Sequence, residues 1–357
     1  MFTLTDDARM LKESARDFFR EQAPVARLRK QRDAKQNGRD PGLWRNISAL
    51  GFPGVIIPEE FGGAGLGYVA LGAVLEESGR TLVASPLHSS ACSGASALLL
   101  AGTDTQKAEW LPKIASGEVI ATIAIDEGAH HAPGKSKLNS EGGKLTGEKR
   151  YVADGHIAGL MVVAGADALY LVKADAPGVT RRELVTADSR GAADLKFDAA
   201  PAEKMNGGAD AIDAILDRAR IGLAAEMVGQ ASEAFEITSE YLKTRRQFGQ
   251  VIGGFQALQH RAAKLFTDLE LTRSCVLAAL DALDRGAGDI AEYASLAKAR
   301  ASETLHLASN EMVQLHGGIG MTDEHDAGLY LKRARVAEAL YGGASFHRDR
   351  YATLLGF

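Results

Sequence analysis

Cysteine is nearly missing: Cys92 and Cys275 are the only two in 357 residues, far apart and each in an apolar helical setting. That excludes a disulfide scaffold and a cysteine-based zinc site, and makes a reducing compartment the natural setting. An excess of positive charge is missing too. Net charge is −5 with a pI near 6.0, so the broad basic surface of a general nucleic-acid binder is not there. No apolar run approaches the ~18 residues of a membrane-spanning helix. The start, Met1-Phe-Thr-Leu-Thr-Asp-Asp, has neither the basic nor the apolar region of an export signal. These absences lead to the expectation of a cytoplasmic protein with no nucleic-acid or membrane partner.

What is present is ordinary in bulk, with 46% hydrophobic and 24% charged residues, enough for two or three domains with a real core. Glycine is raised, at 39 residues, without a Gly-X-Y repeat or a low-complexity tract. Residues 1–118 read as an N-terminal helical domain. Thr5 can cap a helix running to about Arg20, with Asp6 and Asp7 in its favourable first turn. Phe18 and Phe19 are expected on its inner side. The stretch 51–66 carries too many Gly and Pro residues for regular structure, and helical patterns resume at 69–80, 88–101 and 104–116.

The period changes over 119–208, where short apolar runs at 121–125, 160–164 and 168–172 alternate with Gly/Pro-rich turns, as in a small β-sandwich or barrel-like domain. Over 209–357 the helical period returns. Phe255, Leu258, Ala262, Leu265, Leu269, Thr272, Val276, Leu280 and Leu283 keep 3/4 spacing, and so do Ile290, Ala294, Ala297, Ala301, Leu305, Ala308, Met312 and Leu315. Long helices with one apolar stripe each predict a C-terminal antiparallel four-helix bundle. The fold class expected is mainly α with a central β domain.

Several motifs in this order resemble the acyl-CoA dehydrogenase family over essentially the whole chain. They are Pro58-Glu-Glu-Phe-Gly-Gly-Ala-Gly-Leu, Glu76-Glu-Ser-Gly-Arg, Trp110-Leu-Pro-Lys-Ile-Ala-Ser-Gly-Glu, Arg245-Arg-Gln-Phe-Gly with Gln256, and Gln314-Leu-His-Gly-Gly-Ile-Gly. The resemblance implies FAD-dependent α,β-dehydrogenation of an acyl-CoA thioester. In that reaction a Glu takes the α-proton and the flavin accepts the hydride. It also implies an electron-transfer flavoprotein as electron acceptor.

The residues depart from the family pattern where the chemistry should be. The family base stands in a Tyr-Glu-Gly-Thr stretch, which here is Tyr341-Gly342-Gly343-Ala344. A minority of members carry the base just before an Arg matching Arg220, an implied substrate-side residue, and that position is Ala219. No catalytic residue can be named. Glu226 lies seven residues beyond Ala219, roughly 10 Å along a helix, and reads as a bundle or solvent-facing carboxylate. His347 and Asp349 read as part of a basic tail.

The resemblance divides the flavin site in two. Ring contacts in the chain's own β domain are replaced, with Asp126 and Ala132 where hydroxyl donors stand, Ala153 in place of another, and Ala344 and Phe346 near the base position. The elements that reach across to a neighbour's FAD are retained: Arg245, Gln247, Phe248, Gln256, Gln314, Gly317 and Gly318. This pattern resembles the non-base subunits of heteromeric α2β2 members acting on steroid or bile-acid side chains, with a paralogous subunit as partner. Two alternatives stay open: a homo-oligomeric dehydrogenase with an unrecognised base, and a non-catalytic CoA-thioester-binding scaffold. Elsewhere, His130-His131 lacks the carboxylates of a metal site, so no metal is expected. His316 reads as a packed imidazole and His325 as a surface cap. Lys332-Arg-Ala-Arg335 suits either a CoA phosphate or an ordinary basic helix face.

Overall fold

A computed structural model describes residues 4–357, so the start at Met1-Phe-Thr lies outside the described residues. Six helices come first: α1 (Asp6–Gln22), α2 (Val25–Asp33), α3 (Pro41–Ala49), α4 (Gly67–Arg80), α5 (Ala95–Ala101) and α6 (Asp104–Ala115). The Thr5 hydroxyl accepts from the Ala8 N–H at 3.2 Å and caps α1 as its sequence predicts. Phe19 is buried, and Phe18 and Phe52 stand around it at 5.3 and 5.8 Å. The stretch 51–66 forms only short tight turns at Phe52–Gly54 and Glu59–Phe61. The expected helix 88–101 departs from regularity, because its first part, His88–Gly94, is wound as a wider π-helix that continues into α5. Helices α2 and α3 were not legible in the pattern, since α2 is short and mostly charged.

Eight strands follow: β1 (Ala121–Ala124), β2 (Asn139–Glu141), β3 (Lys144–Ala153), β4 (Leu160–Ala164), β5 (Leu169–Lys173), β6 (Val179–Leu184), β7 (Ala192–Pro201) and β8 (Glu203–Lys204). They make two four-stranded sheets, ordered β1-β4-β5-β8 and β2-β3-β7-β6. The sheets pack face to face over a core that includes Met161, Val163, Tyr170, Val152, Leu195 and Phe197. The opposite face of the first sheet (Leu160, Val162, Leu169, Leu171) packs on the helices. Burial on both faces is why β1, β4 and β5 read as continuous apolar runs. Strands β3 and β7 keep one face in water, so their mixed polarity hid them from the sequence reading.

The rest is helical: α7 (Ala209–Thr244), a two-stranded hairpin of β9 (Arg246–Gln247) and β10 (Gln250–Val251), α8 (Gln256–Arg285), α9 (Ile290–His316), α10 (Ala327–Ala339) and α11 (Ala344–Leu354). Helices α7, α8 and α9 lie side by side, with α4 laid across them. The α4–α7 crossing is tight because both helices place glycine there. A Cβ on Gly229 would stand 1.8 Å from the Glu76 carbonyl oxygen, and one on Gly79 would stand 2.1 Å from that of Glu226. Glu76 binds Lys12 of α1 at 2.8 Å and Arg273 of α8 at 2.5 Å, linking three helices through one buried carboxylate. No helix among the described residues is long and apolar enough to cross a membrane.

Candidate functional site

A cavity of about 580 Å³ opens where the three regions meet. It is bounded by the π-helical turn, the loop after β1, the end of β3, the β6–β7 loop, and α10 with the turn that follows it.

That turn carries Gly342. Tyr341 and Gly342 both hold left-handed backbone, with φ 58° and 102°. Arg220 Nε and His347 Nε2 both donate to the Tyr341 carbonyl, at 3.3 and 3.1 Å. Lys298, fully buried on α9, donates to the carbonyls of Gly342 at 3.0 Å and Glu338 at 3.1 Å and to Ser302 Oγ at 3.2 Å. Burial lowers the Lys298 ammonium to about 7, yet all three of its donors are used. The turn is therefore clamped from below by three side chains. It also has no room for another side chain, since a Cβ on Gly342 would stand 2.5 Å from Phe346 Cδ1 and 3.1 Å from His347 Nε2.

Two expectations change here. Arg220, implied to stand on the substrate side, is fully buried, with Nη1 on Asp217 at 2.8 Å and Nη2 on His131 Nε2 at 3.1 Å. Its observed contacts hold the turn and the opposite loop, and none is open to a substrate. His347 does not lie in a basic tail; it is a buried residue of α11. Burial, with Lys298 and Arg220 nearby, drives its imidazole down to about 2. Asp349, on the same helix, is exposed. Ala219 is buried, and its carbonyl accepts from His88 Nε2 at 2.9 Å.

The loop after β1 is closed on itself. Asp126 accepts from the Ala132 N–H at 2.9 Å, and its other oxygen meets His131 Nδ1 at 2.9 Å. Because Arg220 donates to Nε2, the His131 proton is placed on Nδ1. The Phe346 ring meets the imidazole edge-on at 5.1 Å, with the Arg220 guanidinium 5.6 Å from the Phe346 ring centre. Further along, Glu127 accepts from Lys149, Ser136 and the Lys137 N–H. Burial works to raise its carboxyl, but those bonds hold it at about 2. The Asp126, His131 and Glu127 side chains are bound within the loop, and hydrophobic or acidic side chains stand where hydroxyls would be needed. The chain's own cavity does not fit a flavin ring. No group of three or more His, Cys, Asp or Glu placed to hold a metal ion is found among the described residues.

Behind the cavity lies an ion network that the spacing did not reveal. Glu226, 1% exposed, accepts from Arg333 at 2.9 Å, Arg190 at 2.9 Å and Gln230 at 2.8 Å. Arg333 also binds Asp188 at 2.8 Å. Glu226 is thus a buried structural carboxylate, neither solvent-facing nor free to take a proton. Arg333 fits neither reading of its basic run, because it points inward, while Arg335 pairs on the surface with Glu338 at 2.7 Å. Burial acts to raise Glu226, but the two guanidinium groups outweigh it and hold the carboxyl at about 2; Asp188 is lowered as well. Both depressed acids stabilise the fold above the usual carboxylate range, and that contribution is lost as pH falls through it toward 2. Urea midpoints measured between pH 7 and pH 3 should therefore fall steeply below about pH 5, on the order of 2 kcal/mol by pH 3 from Glu226 alone.

The far end of the bundle is open. Arg245, Gln247, Phe248, Gln256, Gln314, Gly317 and Gly318 are all exposed and come from the end of α7, the β9–β10 hairpin, the start of α8 and the end of α9. Two contacts gather them. Arg261 of α8 binds Glu311 of α9 at 2.7 Å, and the Tyr241 ring of α7 lies 4.3 Å from His316. His316 is a packed imidazole that donates through Nδ1 to the Met312 carbonyl at 2.7 Å, and His325 caps α10 by accepting the Ala327 N–H at 3.1 Å. Phe248 occupies the hairpin turn at φ 53° with its side chain 89% exposed. Gly317, at φ 64°, and Gly318 have nothing within 4 Å of a would-be Cβ. An exposed aromatic, a forked cation and an open glycine pair fit a flat, phosphate-bearing ligand presented by another molecule.

Residues 5–118 match the family model for the acyl-CoA dehydrogenase N-terminal domain, and 206–355 match that for the acyl-CoA dehydrogenase C-terminal domain. The acyl-CoA dehydrogenase IpdE2 of Mycobacterium tuberculosis is 33% identical, over 95% of this chain and 94% of that protein. Among solved structures, the steroid ACAD Tcur3481-Tcur3483 superposes with TM-score 0.89 at 34% identity, over 99% of this chain and 98% of its own. The ChsE4-ChsE5 complex of Mycobacterium tuberculosis does so with TM-score 0.90 at 26% identity, over 99% and 98%.

Proposed function

The chain belongs to the acyl-CoA dehydrogenase family of flavin oxidoreductases, and from that premise we propose that it is the non-base subunit of a heteromeric enzyme. A paralogous subunit supplies the glutamate and the flavin-ring contacts, and this chain completes that subunit's FAD site. The observation that carries the reading is the turn at Gly342, which has no carboxylate and no space for one beside Phe346.

When bound, FAD accepts the hydride leaving the β-carbon of the thioester. The part played by this chain is binding. Arg245 meets the pyrophosphate with a planar fork, Phe248 and Gln247 lie beside it, and Gln256, Gln314, Gly317 and Gly318 face the adenine end. Arg220 serves by holding the Tyr341 turn. CoA thioesters of steroid side chains are the proposed substrates, supported by the likeness to a steroid ACAD and to IpdE2. Electron-transfer flavoprotein is the proposed acceptor.

Purified alone, the chain should show little flavin absorbance and no octanoyl-CoA oxidation. Co-expressed with its paralogous subunit, it should form a complex with one FAD per heterodimer, and Arg245→Ala should strip that flavin while the complex persists. Full flavin occupancy with turnover in the lone chain would establish the homo-oligomeric alternative. An Arg245→Ala complex that keeps its flavin would point to a scaffold.

A further inference from the structure

The cavity that does not fit a flavin ring is nonetheless built as a ligand site. Its volume, about 580 Å³, lies within the range of small-molecule pockets. Tyr151, Leu184, Val336 and Leu340 give it an apolar wall. Three non-glycine residues that line it, Tyr151, Asp154 and Tyr341, hold left-handed backbone, with φ 54°, 54° and 58°. Such strain persists where surrounding structure enforces it, and it gathers at ligand sites.

The polar floor restricts what can enter. The Asp154 carboxylate accepts one hydrogen bond, from Ser89 Oγ at 2.5 Å, and burial raises its carboxyl to about 6. Arg190 gives Nη1 to Glu226 at 2.9 Å, while its Nη2 has no hydrogen-bond partner. The groups facing Asp154 are Ser89 from the π-helical turn, Arg190 and Asp188 from the β6–β7 loop, Arg333 from α10, and Tyr341 from the turn after it. Glu226 and Asp188 already balance Arg190 and Arg333, and Arg335 is paired with Glu338, so the surplus charge on the lining is negative and belongs to Asp154 and to Asp126, whose carboxylate is bound to His131 and the Ala132 N–H. A carboxylate ligand would set a further negative charge beside Asp154. A hydroxyl group adds none, can donate to Asp154, and can accept from a guanidinium.

We propose that this cavity binds a neutral, largely apolar alcohol, with its hydroxyl seated between Asp154 and Arg190. The proposal rests on the reading that no flavin ring occupies the cavity, which the flavin absorbance of the same sample reports separately.

The test is calorimetric titration of the full chain with cyclododecanol, cyclododecane and cyclododecanecarboxylate. At pH 8, where Asp154 is ionised, the alcohol should bind saturably at one site, at least about tenfold more tightly than either analogue. Below about pH 6 the carboxylate should gain affinity as Asp154 takes up a proton. Asp154→Asn, which keeps the side-chain shape, should remove the discrimination against the carboxylate and its pH dependence. The proposal is overturned if the alcohol does not bind saturably, or if the carboxylate binds equally well at pH 8. It is also overturned if Asp154→Asn leaves the ratio unchanged, or if octanoyl-CoA, which has no hydroxyl on its acyl chain, displaces the alcohol as effectively as unlabelled alcohol does.

Discussion

Gly342→Glu should yield an inactive and less stable protein, although it restores the residue type found at the family's base position. The backbone there has φ 102°, a conformation L side chains rarely adopt, and the new Cβ would meet the Phe346 ring at 2.5 Å. Left-handed strain and overpacking together should cost about 3 kcal/mol. A lowered urea midpoint and octanoyl-CoA oxidation at background level are the expected readings. Adding Phe346→Ala should recover part of the stability by opening space, but not the activity. Asp126 would still be bound to His131 and the Ala132 N–H, with no hydroxyl restored at Asp126, Ala132 or Ala153. Turnover in the single variant with an unchanged midpoint would show that the turn yields easily and that the loss of the base is trivial to reverse.

The second large effect concerns stability alone. Glu226→Ala leaves Arg190 and Arg333 buried with Asp188 and Asp154 as their remaining nearby acids, and breaking such a pair by removing one partner costs about 3–5 kcal/mol. Glu226→Gln keeps an acceptor for the guanidinium groups but removes the charge, so its cost should fall between Ala and wild type. Chemical denaturation of the three proteins at pH 7 gives the order. If Glu226 acted as a base, Glu226→Gln would abolish turnover in the complex with a paralogous subunit. As a structural carboxylate, it should leave turnover per bound flavin close to that of wild type. A Glu226→Ala midpoint within experimental error of wild type would mean that water reaches the network and screens it.

How much was legible in the sequence depended on whether the relevant physics is local. The long helices α8 and α9 were readable because each keeps one apolar stripe at helical period over 30 and 27 residues. Thr5 was readable as a cap because capping involves neighbours three residues apart. Strands β1, β4 and β5 showed as apolar runs because both faces are buried. Strands β3 and β7 were missed because one face is wet and their pairing is long-range. The π-helical winding of His88–Gly94 was also hidden, since it arises from packing against α7 and β1 rather than from residue preference.

The same division runs through the site. The missing carboxylates at Gly342 and Ala219, the replaced hydroxyls at Ala132 and Ala153, and the retained Arg245 and Gln314 are matters of residue identity, and identity is visible in one dimension. Only tertiary structure could decide that Arg220 is spent on Asp217, His131 and Tyr341, that Arg333 turns inward to Glu226 and Asp188, and that His347 is sealed beneath the turn. The reason is physical. A charged side chain carries no sequence mark of which way it faces, and partners such as His131 for Arg220 and Asp188 for Arg333 stand 89 and 145 residues away. The sequence alone determined that position 342 carries no carboxylate; the packing of Phe346 against that turn decided how little space a side chain there would have.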